Sequence, residues 1–90
     1  MDLSRRPRHA DGVRFHQFDN EVLLVHVENA TGILLNETAS LVWLLCDGAR
    51  SAADIIELLR DSFPVAAERL PSEGEDALRL LSAHGAIEIE

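Results

Sequence analysis

An α+β fold is what the sequence predicts: a three-stranded antiparallel sheet followed by three helices, the composition of a winged helix-turn-helix. Three observations predict it. Residues 13–35 hold three short apolar runs separated by turn residues. At Asn36 the apolar period lengthens to that of a helix, and three helical stretches follow. The chain has 90 residues, one domain's length, so those helices must cover the single buried face of a small sheet.

The first strand is read at Val13–Phe18, where Val13 and Phe15 alternate with Arg14 and His16. Asp19-Asn20 supplies a tight turn. Val22–Val27 is rich in branched residues, as strands prefer. The stretch Glu28 to Gly32 is a second turn, with Gly32 expected to take positive φ. Ile33-Leu34-Leu35 completes a third strand. Short turns between adjacent strands make an antiparallel meander the natural arrangement.

Asn36 is a good N-cap, and Glu37 lies in the first turn, where negative charge is favoured. Ala39, Val42, Trp43 and Cys46 then recur at helical spacing, and Gly48 suits the left-handed residue that ends the helix. Ser51 and Asp54 open the second helix in the manner of a capping box. Its expected buried stripe is Ile55, Ile56, Leu59 and Phe63, and Pro64 stops it. Residues 65–71 read as a linker. Ser72 and Glu75 form a Ser-x-x-Glu capping box for the third helix, with Ala77, Leu78 and Leu81 on its apolar face. Gly85 ends it, and Ala86–Glu90 alternates apolar and acidic as a final strand or tail. Residues 1–11 are polar and basic and read as a flexible N-terminal arm, leaving residues 12–90 as the domain.

The net charge of −8 sets limits on partners. An acidic surface repels nucleic-acid phosphates and anionic lipid, so neither nucleic acid nor membrane is an expected partner. The third helix would enter a DNA groove behind Glu73, Glu75 and Asp76, which is the wrong charge for a recognition helix. No run is long enough to span a bilayer, and no secretory signal is apparent. The sequons at Asn29 and Asn36 therefore read as turn and cap residues. A lone cysteine excludes an internal disulfide and fits a reducing cytoplasm, the expected location.

Catalytic chemistry is not visible. Cys46 falls on an apolar helical stripe and reads as a buried structural thiol. His16 and His26 would face each other across the first hairpin, but no third ligand accompanies them. No enzyme activity, catalytic residue, metal or cofactor is expected.

The run Glu21-Val22-Leu23-Leu24-Val25, then Thr31-Gly32, then Leu35-Asn36-Glu37-Thr38-Ala39, then Trp43 and Cys46-Asp47-Gly48 resembles the signature of the PqqD-like family. Ser51–Ile55, Leu78–Leu81 and His84-Gly85-Ala86-Ile87 extend the resemblance over nearly the whole chain from Gly12. Residues 66–71 and the aliphatic strand Ile33–Leu35 depart from the pattern.

The resemblance implies a RiPP recognition element. Such a domain binds the leader of a ribosomally made precursor peptide and presents it to a modifying enzyme: a radical S-adenosylmethionine protein, a protease or a cyclase. The leader would add as a strand to the third strand and lie against the third helix. Carried over by position, the binding residues are Thr31, Ile33, Leu34 and Leu35 on the strand, with Asp76, Ala77, Leu80, Leu81 and His84 on the helix. Alternation places Leu34 on the face opposite Ile33 and Leu35. Two other uses of such a fold are a winged-helix DNA binder and a structural domain whose free edge pairs with its own copy as a homodimer.

Overall fold

The computed structural model describes residues 2–28, 30–66 and 68–89. Strand β1 (Pro7–His9) comes first, before β2 (Val13–Phe18), β3 (Glu21–His26) and β4 (Thr31–Leu35). Helix α1 (Glu37–Leu45), helix α2 (Ala52–Ser62), one 3-10 turn (Pro64–Ala66), helix α3 (Leu70–Ala83) and strand β5 (Ile87–Ile89) complete the chain. Three antiparallel strands in the order β2-β3-β4, followed by three helices, are the α+β arrangement the sequence predicts. None of the helices is long and apolar enough to cross a membrane among the described residues.

The meander is set by its turns. Asp19 takes φ 51, the left-handed conformation a two-residue hairpin requires and Asp tolerates. In the second turn the left-handed residue is Ala30 (φ 52), while Gly32 lies within β4 opposite Val25. The positive φ expected of Gly32 is thus taken two positions earlier, and Asn29 lies outside the described residues. His16 pairs with Leu23 and His26 with Val13, so the two imidazoles do not face each other.

Packing follows the apolar pattern. Val22 and Leu24 of β3, Leu35 of β4, Val42 and Trp43 of α1, Ile55 of α2, and Leu78 and Leu81 of α3 are all essentially inaccessible. Each such side chain contributes about 1.5–3 kcal/mol by leaving water. Gly74 is buried at the α2–α3 crossing, where a Cβ would come within 3.2 Å of Ile56 Cγ1. Phe63 departs from the expected stripe and is 40% exposed, because α2 ends at Ser62 and the residue swings out as its C-cap.

Two caps form as read. Asn36 Oδ1 accepts the Ala39 N–H at 2.9 Å, and Ser51 and Asp54 make a reciprocal capping box. The third does not: α3 starts at Leu70 with Arg69 as an N-cap lacking any side-chain bond, and Ser72 sits inside the first turn. Pro71 explains the shift. Its fixed φ suits the first turn of a helix, and it has no N–H to leave unsatisfied there. What read as a linker is therefore partly helix.

The largest addition lies at the N-terminus. Pro7–His9 pairs antiparallel with Ile87–Ile89 in a second, two-stranded sheet. Leu3 and Arg5 carbonyls accept the Ala53 and Ala52 N–H groups at 2.8 and 2.9 Å, satisfying two of the donors that begin α2. The reading of residues 1–11 as a flexible arm anticipated none of these contacts, since they join segments distant in sequence. The final strand is consequently paired with β1, leaving the β4 side of the main sheet uncovered by the chain's own tail.

Candidate functional site

The candidate site is built around β4, the last strand of the sheet. Which of its backbone groups point outward follows from the first hairpin. The Asp19-Asn20 turn closes on the pair Phe18–Glu21, which in a two-residue hairpin is a hydrogen-bonded pair. Bonded pairs then alternate, so Glu21, Leu23 and Val25 bond to β2, while Val22, Leu24 and His26 turn toward β4. Their partners Leu35, Ile33 and Thr31 face inward. The N–H and C=O groups of Gly32 and Leu34 therefore point away from the sheet.

Ser40 supports this phase. The Val22 N–H donates to Ser40 Oγ at 2.8 Å, and Ser40 Oγ donates to the Leu35 carbonyl at 3.3 Å. A buried hydroxyl thus bridges the Val22–Leu35 pair where the ladder meets α1.

Beside this edge lies a cleft of about 400 Å³ lined by His26, Thr31, Gly32, Ile33, Ala83 and His84. It is bounded by β4, the end of β3 and the C-terminal end of α3. His26 Nε2 donates to the His84 carbonyl at 2.7 Å; a carbonyl only accepts, so Nε2 carries the proton. This bond ties the sheet to the end of α3. Gly85 takes φ +67 there, and a Cβ on it would come within 3.5 Å of the His26 ring. The positive φ favours glycine, while the contact with His26 is of ordinary van der Waals length.

The nine residues carried over from the resemblance divide into groups. Thr31, Ile33 and His84 line the cleft. Leu34 is 59% exposed on the opposite face of the sheet, as alternation requires. Leu35, Ala77 and Leu81 are buried in the core, so their side chains are not presented at the groove. Sequence position placed them on the right elements, but helix rotation turns Ala77 and Leu81 inward and strand alternation does the same for Leu35. Leu80 is 41% exposed but does not line the cleft, and Asp76 is exposed beside Arg79 at 3.6 Å. His26, Gly32 and Ala83 were missed. Strand alternation was the available signal for His26, which shares a face with its partner Thr31.

Among the described residues, no group of three or more His, Cys, Asp or Glu side chains is placed to hold a metal ion. Burial, helped by the neighbouring Asp47 charge, pushes the Cys46 thiol up to about 12, and its Sγ donates to the Val42 carbonyl at 3.1 Å. Asp47 accepts backbone N–H groups from Ala49 and Arg50, which hold its carboxyl below the usual range.

Comparison with known proteins adds two findings. The family model described as coenzyme PQQ synthesis protein D matches residues 21–87. The solved structure of TbiB1 in complex with the TbiA(beta) leader peptide superposes with a TM-score of 0.76 at 23% identity, covering 90% of this chain and 94% of that one. The likeness shows that the two share a fold. No curated protein matches the chain.

Proposed function

Because the chain belongs to the PqqD family, we propose that it binds the leader segment of a ribosomally made precursor peptide by β-strand addition and presents it to a separate modifying enzyme. The observation that carries this reading is the outward edge at Gly32 and Leu34 beside the cleft between β4 and α3. A peptide strand laid there would exchange four backbone hydrogen bonds with those two residues. At roughly 1 kcal/mol net apiece, such bonds give only general affinity. Choice of peptide falls to side chains. The leader residue opposite Ile33 would point into the cleft, toward Thr31, Ala83 and His84. Its neighbours on either side would lie across Gly32 and against Leu34 on the outer face.

That TbiB1, a protein of the same fold, has been solved with a leader peptide supports this reading. The acidic start of α3, with Glu73, Glu75 and Asp76, disfavours the DNA-binding alternative. The enzyme served is of the radical S-adenosylmethionine, protease or cyclase type. The domain itself supplies binding rather than catalysis, and works in the cytoplasm.

Titration of the purified chain with the fluorescently labelled leader of the precursor encoded beside it tests the proposal. Saturable micromolar or tighter binding is expected. Absence of binding at about millimolar leader would reject it.

A further inference from the structure

A second concavity lies elsewhere. A groove of about 710 Å³ runs between α2 and the N-terminal end of α3. Its apolar lining includes Leu3, Ile56, Pro64 and Pro71. Glu57, Asp61 and Glu75 line it as well, against one cation, Arg60. Glu75 already pairs with Arg79 at 2.7 Å. Within the described residues, Glu57 and Asp61 have no ion-pair partner. They lie one helical turn apart on α2, a spacing at which like charges repel.

Exposed apolar side chains also occur on α2 and just after it, outside the groove lining. Leu58, Phe63 and Val65 are all solvent-exposed, Val65 completely. An apolar lining rimmed by charge, as in this groove, is a feature of protein–protein contact sites. Helix α3 has 14 residues, so the groove at its start lies about 20 Å from the cleft at its end. A peptide at β4 leaves this groove clear.

We infer that the α2–α3 groove is the docking surface for the modifying enzyme, and that it receives a segment bearing Lys or Arg beside an apolar anchor. The inference rests on the presenting role proposed above, since a domain that hands a peptide on needs a second surface. Charge complementarity selects the occupant: a cation placed between Glu57 and Asp61 relieves their repulsion, while the apolar floor takes the anchor. Separation of the two sites lets one domain hold peptide and enzyme together.

The test uses the full chain, the labelled leader and the purified enzyme encoded beside them. In the variant carrying Glu57→Lys and Asp61→Lys, enzyme binding is expected to weaken at least about tenfold and to lose most of its salt dependence, as rim charges govern encounter. Leader affinity should stay within about twofold. Glu57→Gln with Asp61→Asn should give a smaller loss in the same direction and guards against misfolding. The inference is overturned if the enzyme binds both variants as it binds the wild type, if it does not bind the wild type, or if the charge changes alter only self-association of the chain. A wild type that binds no leader would defeat the underlying role instead, an outcome read separately in the same experiment.

Discussion

The His9 imidazole lies flat on the Trp43 indole, with ring centroids 3.7 Å apart and planes 3° from parallel. Its Nε2 stands 2.6 Å from the Trp43 carbonyl oxygen and donates to it. A residue from the polar N-terminal segment thereby covers the largest side chain of the core. Pro7, two places earlier, is fully buried, and the Gly48 N–H donates to its carbonyl at 2.9 Å. The segment is a working part of the domain.

His9→Ala should therefore destabilise the chain by about 1–2 kcal/mol, combining a stacked pair and one hydrogen bond. Deleting residues 1–9 should cost more, because the β1–β5 pairing and the two bonds to the start of α2 go with it. Urea unfolding followed by Trp43 fluorescence measures both. Stability equal to wild type in the deletion would show that these contacts do not hold.

Ser40→Ala leaves the Val22 N–H and the Leu35 carbonyl buried without the hydroxyl between them. A loss of about 1–3 kcal/mol is expected in the same unfolding measurement, the penalty of unsatisfied buried polar groups. Ser40→Thr should lose less, since it keeps the oxygen.

The sheet has two outer strands, β2 and β4, and proline can tell them apart. By the ladder phase, the N–H groups of Leu34 and of Gln17 both point outward, so proline at either removes no bond within the sheet. Leu34→Pro should weaken leader binding at least about tenfold. Gln17→Pro should leave it near wild type. Equal losses, or a loss only in the second, would move docking away from β4.

Cys46 gives the pH dependence. Its folded pKa, pushed up to about 12, lies above the ordinary thiol value because burial disfavours the thiolate. A raised acid pKa means that the thiol's contribution is fully present below the unfolded value and fades as pH rises from about 9 toward about 12. Stability should fall over that window in wild type and fall less in Cys46→Ala. At pH 8 the native thiol should resist a disulfide reagent, reacting no faster than the domain opens. Rapid reaction in the folded state would contradict the burial.

The features legible in the residues alone were local. The Asp19-Asn20 turn, the Asn36 and Ser51 caps, the left-handed Gly48, the helix stop at Gly85, and the stripe of Val42, Trp43, Ile55 and Leu78 each follow from residues within one or two turns of one another. Strand alternation likewise sent Leu34 outward and Leu35 inward. Contacts between distant segments settled that Pro7–His9 joins Ile87–Ile89 and that His26 reaches the His84 carbonyl. Those outcomes depend on contacts between segments as much as 84 residues apart, as between Arg5 and Ile89, and no local period records which distant surface an element will meet. The open side of β4 is the same kind of fact: its outward groups follow from register, but their exposure depends on where the tail chose its partner.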